Sequence, residues 1–342
     1  MSVARPLIID TDGGVDDAAA LWLALSDPGI EVVAVTTVRG VVSAREAAAN
    51  ILLVLEAAGR LDIPVAVGAD KRAGPSPELR SATFIHGEDG LGNSRGGRIA
   101  PRQPVTETAH DLLLRLVAER EGVSVVSLGP LTNAAKAILA VPGWAAGVRE
   151  LVVMGGSAAR GGNALPAGEA NIAHDPEAAA IVARAGWSTP PLMVGLDVTH
   201  AATLDDDDFT LLAERRTAAA AFLDEPLHFY RTYGSTFTRP GCPCHDFLAV
   251  LTLVECEVMK NAPVLPLAVC TTPGPAWGST IVDFRAPLFA GLGGSEQVQP
   301  EGFSPWRIAL EVDRDRFRDR VRALFGDAGV AAGKEMHDAD HH

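Results

Sequence analysis

The sequence lacks the features that characterise several classes of protein. Basic residues are in the minority, with 29 Lys and Arg against 43 Asp and Glu, which gives a formal net charge of −14 at pH 7. Nucleic-acid binding requires basic side chains that neutralise phosphates, and anionic membrane surfaces attract the same side chains. No uninterrupted apolar run approaches the roughly 20 residues of a membrane span. The sequence therefore predicts neither a nucleic-acid-binding protein nor a membrane protein.

Cysteine is also scarce, and its four positions all lie in the C-terminal third: Cys242, Cys244, Cys256 and Cys270. The first six residues are too short and too polar for a signal peptide, so reduced thiols in the cytoplasm are the simplest interpretation. Cys242 and Cys244 form a C-x-C pair beside His245, but zinc would need further soft ligands nearby. We interpret these cysteines as plain thiols and predict a cytoplasmic protein.

Apolar, β-rich runs alternate with Ala- and Leu-rich helical patterns along most of the 342 residues. Strands that are apolar throughout, with helices between them, predict an α/β fold: an open, mostly parallel sheet with helices on both faces. The predicted strands are Leu7–Ile9, Val32–Val38, Val65–Val67, Val123–Leu128, Leu151–Met154 and Leu192–Val194. The predicted helices are Asp17–Leu25, Ala44–Ala58, Glu107–Glu121, Asn133–Leu139 and Pro176–Ala183.

The last third of the sequence predicts further elements of the same domain. No linker is polar enough to mark a boundary, so residues 1–330 are predicted to form one domain. Asp205–Tyr233 is predicted to be an acidic helical region within a small, lid-like helical portion around residues 200–240. The polar, His-rich tail 331–342 is predicted to be disordered. The other predicted elements are an apolar helix Phe247–Val258, strands Leu265–Cys270, Thr280–Phe284 and Arg307–Val312, and a charged helix Arg314–Phe325.

An acidic turn follows the first predicted strand. Residues 10–18 read D-T-D-G-G-V-D-D-A, with four carboxylates and no Lys or Arg. Carboxylates this close repel one another, so a partly buried cluster needs a cation or raised pKa values, and oxygen ligands suit a hard cation such as Ca²⁺ or Mg²⁺. Alternatively, Asp16 and Asp17 are ordinary first-turn acids, and Asp10 only completes a strand end. An EF-hand is excluded because Leu21 stands where its last Glu should be.

Several turns at strand ends are predicted to meet in one crevice, because ligands bind beyond the carboxyl ends of parallel strands. Asp10, the turn Gly129–Thr132 and the turn Met154–Gly156 lie at such ends. Asp246, at the start of a predicted helix, would add a fifth carboxylate, and a backbone carbonyl and waters would complete the six to eight oxygens that Ca²⁺ prefers. Alternatively, Asp246 is an N-cap. The adjacent His245 is a proton donor at pH 7 only with help from its surroundings.

The acidic turn resembles the N-terminal signature of the inosine-uridine-preferring nucleoside hydrolase family. Further matching segments, in the family's order, extend over most of the chain: Val35–Val38, Asn50, His86–Gly90, Gly129–Asn133, Met154–Gly156, Glu169–Asn171, Asp175–Ala178, Leu196–Thr199, His245–Asp246 and Leu310–Asp313. The resemblance implies a nucleoside-hydrolase-like fold. It also implies Ca²⁺-dependent hydrolysis of the N-glycosidic bond of ribonucleosides, by a homodimer or homotetramer.

The resemblance also implies roles for individual residues. Asp12, Asp17 and Asp246 would bind Ca²⁺ through their side chains, and Thr132 would bind it through its carbonyl oxygen. Asp12 would also take a proton from water, and His245 would protonate the departing base. The residues that would contact the nucleoside are Asp16, Asn171 and Asp246 at the ribose 2′- and 3′-hydroxyls, Asn163 and Glu169 at the 5′-hydroxyl, Met154 in the sugar pocket and His86 beside the base.

Two positions depart from the family's pattern. Gly13 stands where Pro is usual, which we expect only to loosen the turn. Val41 stands where the family usually has an Asn that helps to hold the reacting centre, so weaker or altered activity is expected. Arg39, in the same turn, either reaches an acidic group on the substrate, neutralises the carboxylates or is a surface residue.

Two other functions remain open at the level of the sequence. A phosphatase of the haloacid dehalogenase kind also begins with a strand and Asp-x-Asp, and Asp10 would then be its nucleophile. A degenerate hydrolase that binds ribose or a nucleoside without turnover is the second, and Val41 motivates it. The preference for purine or pyrimidine bases cannot be read from the sequence. Phe229, Tyr230 and Tyr233 either stack on a base or pack within a helix.

Overall fold

The computed structural model describes residues 4–74, 79–234, 241–285 and 301–326. Its first elements are β1 (Arg5–Thr11), α1 (Val15–Ser26), β2 (Ile30–Thr37), α2 (Ala44–Ala57), β3 (Val65–Val67), α3 (Thr83–His86), α4 (Ala109–Glu119), β4 (Ser124–Ser127), α5 (Thr132–Ala140), α6 (Trp144–Gly147) and β5 (Glu150–Met154). Next come α7 (Ala170–His174), α8 (Pro176–Ala183), β6 (Leu192–Val194), α9 (Leu196–Thr199), β7 (Thr203–Leu204), α10 (Asp206–Ala213) and α11 (Ala218–Gly234). The last are β8 (Cys242–Pro243), α12 (His245–Val254), β9 (Met259–Asn261), β10 (Val264–Val269), β11 (Thr280–Val282), β12 (Ser304–Ile308), β13 (Glu311–Val312) and α13 (Arg314–Phe325).

Nine strands form the main sheet in the order β11-β10-β12-β6-β5-β4-β1-β2-β3. The seven strands from β12 to β3 run parallel to one another, and β10 is antiparallel to both of its neighbours. Strand order reverses beside β1, because β2 and β3 extend the sheet on one side while β4, β5 and β6 extend it on the other. Ligands of open α/β sheets bind at such a switch point, beyond the carboxyl ends of the strands. The predicted open, mostly parallel sheet is confirmed.

Helices cover both faces of this sheet. Leu7 and Ile9 of β1 belong to a hydrophobic cluster with residues of α1, α2, α11 and α12, whereas Ile8 belongs to a second cluster with residues of α4, α5 and α8. This alternation follows from the two-residue period of a strand, and it explains why every position of β1 from Leu7 onward is buried. Among the described residues, no helix has both the length and the apolar character needed to cross a membrane.

Every strand and helix listed from the sequence for the first 195 residues is present, with ends displaced by at most two residues. The single helix predicted over Phe247–Val258 is wrong. Helix α12 ends at Val254 because Glu255 adopts an extended backbone, and a short 3₁₀ helix follows. The Glu255 carboxylate accepts hydrogen bonds from Arg316 and Arg320 of α13, so tertiary contacts compete with continuation of the helix.

The single strand predicted over Arg307–Val312 is also wrong, since it consists of two strands in different sheets. Ile308, at the end of β12, lies beside Met193 of β6, whereas β13 pairs with β9 in a separate two-stranded sheet. The chain crosses from one sheet to the other within two residues, and an apolar pattern cannot show such a change of partner. The predicted strand Thr280–Phe284 ends earlier, at Val282. The tail 331–342 lies outside the described residues.

The predicted lid-like portion consists of α10, α11 and the two-stranded sheet of β7 and β8. Leu223, Leu227 and Tyr230 of α11 are buried in the same hydrophobic cluster as α1. The described part of this region is therefore a packed wall above the carboxyl end of the sheet. Residues 235–240 of the predicted portion lie outside the described residues.

Candidate functional site

A cavity of about 600 Å³, including the part open to solvent, lies beyond the carboxyl ends of β1, β4 and β5. Ligand pockets for small molecules are typically of this size. Ten of the eleven site residues predicted from the sequence line it: Asp12, Asp16, Asp17, His86, Met154, Asn163, Glu169, Asn171, His245 and Asp246. They come from segments up to 234 residues apart (Asp12 to Asp246), and the sheet topology brings them together.

The acidic turn between β1 and α1 is held by its own hydrogen bonds. The Asp17 carboxylate accepts one bond from the Thr11 hydroxyl and one from the Gly14 amide, the latter at 2.9 Å. Gly13 has a φ of +75°, and a Cβ there would lie 2.6 Å from Cα of Ala47. Proline cannot adopt this φ. At Gly13 the turn therefore follows a backbone path that is closed to Pro, the residue usual at this position in the family.

Three buried carboxylates form the tightest group in the cavity. Asp16, Asp17 and Asp246 each offer an oxygen, and these oxygens all lie within 4.8 Å of one another. Their residues are at most 4% exposed. Among the described residues, no other group of three His, Cys, Asp or Glu side chains comes together in this way. Oxygen-only donors at this spacing fit a hard divalent cation.

Burial and mutual repulsion shift the acidity of these groups. Burial raises the pKa of Asp16 to about 7, with further repulsion from Asp17, while the backbone amides of Asp246 and His245 oppose the rise. The pKa of Asp246 is raised well above its usual value by burial and then by Asp16, Asp17 and Asp12. Without a cation, the cavity therefore favours protonated carboxyl groups, and a bound cation would relieve the same repulsion.

Asp246 is the second residue of α12, since the helix begins at His245 and its N-cap is Cys244. The alternative that Asp246 is an N-cap is therefore wrong. Instead, the first turn of α12 places the Asp246 carboxylate against the acidic turn, where Asp17 and Asp12 both act on its pKa.

Asp12 is held beside this group rather than inside it. Its Oδ2 accepts a hydrogen bond of 2.9 Å from the Val41 backbone amide. Burial raises its pKa well above the usual value, and Asp17 and Asp16 raise it further. A Cβ at Gly40 would lie 2.0 Å from Oδ2 of Asp12, so only glycine fits there. Val41 thus contacts Asp12 through its backbone, while its side chain lines the cavity.

One wall of the cavity carries hydrogen-bonding groups with unused capacity. Nδ2 of Asn171 donates to the carbonyls of Leu128 and Met154, at 2.8 and 3.1 Å, and its Oδ1 accepts no hydrogen bond from the residues that the structure describes. Glu169 caps α7, and its carboxylate accepts from the amides of Asn171, Ile172 and Gly156. Oδ1 of Asn163 accepts from Ala170 at 2.9 Å, so its amide N–H groups remain available. Groups of this kind suit the hydroxyls of a sugar.

Two histidines line the other side. Nδ1 of His245 lies 2.8 Å from the Thr199 hydroxyl, which orients the ring. Burial lowers the pKa of His245 to about 3, assisted by His200 and His86. Nδ1 of His86 accepts a bond of 3.2 Å from the Val15 amide, and burial lowers its pKa to about 4 against the opposing effect of Asp17. Both rings are therefore neutral at pH 7.

An aromatic ring completes this side of the cavity. The ring of Tyr230 lies 5.0 Å from that of His86, and it lines the cavity from α11. Tyr230 is 4% exposed and also belongs to the core, so it both packs and faces the cavity. The side chain of Tyr233 lies outside the described residues.

Thr132 is the predicted site residue that does not line this cavity. It begins α5, and its hydroxyl donates to Oδ2 of Asp175 at 2.6 Å. It lines a neighbouring cavity, as does Arg39. None of the causes that shift the pKa of Asp12, Asp16 or Asp246 involves Arg39, so the idea that Arg39 neutralises the carboxylates gains no support.

Asp10 lies below the cavity. Its Oδ1 accepts hydrogen bonds from Thr36 and Asn133, both at 2.7 Å, and the residue is 1% exposed. It does not line the cavity. A nucleophile must reach its substrate, so Asp10 is not placed for the phosphatase mechanism. The cysteines Cys242 and Cys244 are free and buried, and burial raises the pKa of both thiols, which fits the interpretation as plain thiols.

The comparisons with known proteins agree with this geometry. Residues 7–319 match the family model described as inosine-uridine preferring nucleoside hydrolase. A probable uridine nucleosidase 2 of Oryza sativa subsp. japonica is 39% identical over 313 residues, which cover 90% of this chain and 89% of the relative. The non-specific ribonucleoside hydrolase RihC of Salmonella typhi is 37% identical over 332 residues, with coverage of 95% and 99%.

Solved structures show the same relationship. A plant nucleoside hydrolase, the PpNRh1 enzyme, superposes with a TM-score of 0.86 at 33% identity and covers 94% of this chain and 99% of its own. An inosine-guanosine nucleoside hydrolase superposes with a TM-score of 0.83 at 29% identity, with coverage of 94% and 99%. The relatives are named nucleosidases or nucleoside hydrolases, which are enzymes that act on N-glycosyl bonds, and the chain matches them over nearly its whole length. This chain belongs to the inosine-uridine preferring nucleoside hydrolase family.

Proposed function

We propose that this enzyme hydrolyses the N-glycosidic bond of ribonucleosides with the help of a calcium ion and releases ribose and the free base. The observation that carries the proposal is a single cavity of nucleoside size in which the buried carboxylates face sugar-binding groups and His245. Uridine is a proposed substrate, because two of the relatives are named for uridine or for non-specific ribonucleoside hydrolysis. A homodimer or homotetramer is proposed on the resemblance alone.

The residues of the acidic cluster fit a calcium ion. Asp12, Asp17 and Asp246 would hold it through their side chains, together with the carbonyl oxygen of Thr132. Asp16 also lies close enough to contribute an oxygen. A bound calcium ion would supply Lewis acidity, which makes water a better nucleophile at neutral pH.

Asp12 is proposed to accept a proton from the attacking water. Its Oδ2 accepts a hydrogen bond from the Val41 amide, which orients the carboxylate. Because burial and its acidic neighbours raise the pKa of Asp12, the group is a stronger base than an exposed Asp when it is ionised. General-base transfer of this kind contributes about 10²–10⁴-fold to a rate.

The carboxylates and amides of the cavity are proposed to bind ribose. Asp16, Asn171 and Asp246 would contact the 2′- and 3′-hydroxyls, while Asn163 and Glu169 would contact the 5′-hydroxyl. Cleavage of the glycosidic bond develops positive charge on the sugar, and preorganised acceptors around it favour that charge. Met154, buried at the end of β5, would line the sugar pocket.

His245 is proposed to protonate the departing base. Its ring is neutral at pH 7 in the free enzyme, because burial lowers its pKa to about 3. Negative charge on a departing base would raise the affinity of the neighbouring ring for a proton, so the ring would take up a proton from solvent and pass it to the base. His86 and Tyr230, with their rings 5.0 Å apart, would lie beside the base.

Val41 favours an alternative to full activity on common ribonucleosides. Its apolar side chain lines the cavity where a polar residue is usual in the family, and it can neither donate nor accept a hydrogen bond to the substrate. We propose that Val41 lowers the rate or redirects the sugar preference. A binder without turnover is the extreme form of the same effect.

The first test is a reducing-sugar assay over purine and pyrimidine ribonucleosides, with and without a chelator. We expect release of ribose that is lost on chelation and restored by CaCl₂ but not by NaCl. Absence of product from both inosine and uridine at high enzyme concentration would contradict hydrolysis of common nucleosides. If calorimetry then showed that nucleosides still bind, the non-catalytic alternative would be correct.

Thr199 provides a test of how His245 is positioned. Replacing it with Val keeps the shape but removes the hydroxyl 2.8 Å from Nδ1 of His245. We expect kcat for uridine to fall by about tenfold, since a net hydrogen bond contributes about 1 kcal/mol and the ring loses its orientation. Thr199→Ser keeps the hydroxyl and should retain most of the activity. Equal rates for the Val and Ser variants would show that Thr199 does not orient His245.

A further inference from the structure

A second cavity adjoins the nucleoside cavity and has the opposite charge. Arg39, Lys71, Arg72 and His174 line it, with Pro130 and Thr132 of the turn after β4. The carboxylate among its lining residues is that of Asp70, and its Oδ1 accepts a hydrogen bond of 2.8 Å from the Ala44 amide. The chain has a net charge of −14, so this grouping of cations around one concave surface indicates a site for an anion.

Two of these cations are available to a ligand. Among the described residues, the side chains of Arg39 and Lys71 make no ion pair or hydrogen bond, although most other arginines of the chain have carboxylate or carbonyl partners. The backbone amide of Arg39 donates to the Ala69 carbonyl at 2.9 Å, so the start of the side chain is fixed beside the loop that carries Lys71.

His174 supplies an independent indication of a missing partner. Its Nδ1 lies 2.7 Å from the Ala170 carbonyl, and since a carbonyl only accepts, Nδ1 carries a proton. Its Nε2 is buried and has no hydrogen-bond partner among the described residues. Buried polar atoms without partners are rare, and an unseen ligand is one common explanation. Because Nδ1 holds the proton of the neutral ring, Nε2 can only accept a hydrogen bond, and a phosphate would satisfy it through a protonated oxygen (P–OH). Burial lowers the pKa of His174, and Arg72 and Arg39 lower it further, which places both guanidinium groups close to this ring.

One nearby acidic side chain is already committed elsewhere. Asp175 follows His174, but its Oδ2 accepts from Thr132 and Ala73, and its Oδ1 accepts from the amide of Ala178. It is fully buried and committed to capping α8. Asp70 is the carboxylate that lines the cavity, and among the described residues it forms no ion pair with Arg39 or Lys71.

We propose that the cavity bordered by Arg39, Lys71, Arg72 and His174 is a binding site for a phosphate group beside the nucleoside cavity. His174 lines both cavities and marks the boundary between them. Guanidinium groups bind phosphate oxygens with two parallel hydrogen bonds, and Lys adds a point charge. The phosphate belongs either to free inorganic phosphate or to a nucleotide, since both present the same oxygens.

Calorimetry on the enzyme as purified, with no calcium added, distinguishes these sources. The ligands are inorganic phosphate and uridine 5′-monophosphate, each compared with NaCl at equal ionic strength. Binding of inorganic phosphate identifies the free anion as a ligand, and binding of uridine 5′-monophosphate alone identifies a nucleotide. The readout does not require hydrolysis, so its failure is distinct from failure of the proposed activity. Absence of binding by both ligands would overturn the proposal.

Substitutions locate the site. Arg39→Met and Lys71→Met each remove one cation and should weaken binding about tenfold, as expected for loss of a charge-assisted hydrogen bond. Arg149→Met is the matched control, because Arg149 is exposed and lies just before β5, at the amino end of the strand. Both cavities lie at the other, carboxyl end of the strands. Equal affinity in all three variants would place the phosphate elsewhere and overturn the proposal. Thermal unfolding of each variant without ligand confirms that the fold is retained.

Discussion

Asp12→Asn is expected to lower kcat for uridine by about 10³-fold or more. The amide keeps the volume of the side chain and an oxygen that can accept from the Val41 amide, so the local structure should remain. It cannot accept a proton from water, and loss of a general base alone costs about 10²–10⁴-fold. The substitution also removes one of the negative charges proposed to bind calcium, so the loss of rate should be at the upper end of that range.

The measurement is steady-state hydrolysis of uridine at saturating CaCl₂, which separates loss of the base from loss of the metal. Asp207→Asn is the control, because Asp207 is an exposed acid on α10, far along the chain from the acidic turn. Activity of Asp12→Asn within tenfold of the unmodified enzyme would exclude Asp12 as the base. An unchanged unfolding temperature would exclude misfolding as the cause of a large loss.

His245→Ala is expected to show a loss that depends on the leaving group. With uridine, the departing uracil needs a proton, so removal of the acid should lower kcat by about 10²–10⁴-fold. With 4-nitrophenyl riboside, the nitrophenolate leaves without protonation, and we expect a rate within a few-fold of the unmodified enzyme. The measurement is the ratio of the rates with the two substrates. Activity of His245→Ala with 4-nitrophenyl riboside also shows that the variant is folded.

The contrast between the two substrates is what tests the role of His245. An equal loss with uridine and with 4-nitrophenyl riboside would mean that the ring shapes the cavity or holds the sugar. Such a result would leave the acid unidentified, and His86, with its ring nitrogen 3.8 Å from Asp16, would be the next residue to replace.

Much of the fold could be predicted because its physical cause is local. The buried strands β1, β2 and β4 contain the unbroken apolar runs Leu7–Ile9, Val32–Val35 and Val125–Val126, and a sheet covered on both faces requires such runs. The predictions of element ends failed where the cause lies in a distant part of the chain. Helix α12 ends where Glu255 meets arginines from α13, and the chain leaves β12 for a different sheet within two residues.

The site divides in the same way. The position of Asp12 beside the cavity follows from a rule of topology, because Asp12 comes just after the carboxyl end of β1. Asp246 lies in the first turn of a helix, so its position beside Asp12 was implied by the family resemblance and not by topology. The hydrogen bond between Thr199 and His245 could not be predicted from the sequence, since the matching segment Leu196–Thr199 does not show which side chain Thr199 contacts. The contact between the Val41 amide and Asp12 is equally hidden, because a backbone donor is independent of the side chain.

The sequence gives no role for His174 for a related reason. A single His in a long loop gives no information about its neighbours until the loop is folded. The structure shows that Arg39 and Arg72, which are far from it in sequence, act on its pKa. Position in the chain gave Arg39 three possible roles, and the folded structure places it in the cavity that adjoins the nucleoside cavity.

The central claim is that buried carboxylates from distant parts of the chain hold one divalent cation. Calorimetric titration of chelator-treated enzyme with CaCl₂ tests it most directly. Since burial raises the pKa of Asp16 to about 7, protons compete with the metal, and affinity should be higher at pH 8 than at pH 5. We expect one calcium ion per chain, with affinity strongly reduced in Asp17→Asn and in Asp246→Asn but unchanged in Asp207→Asn. No binding at either pH, or equal binding in all three variants, would contradict the account.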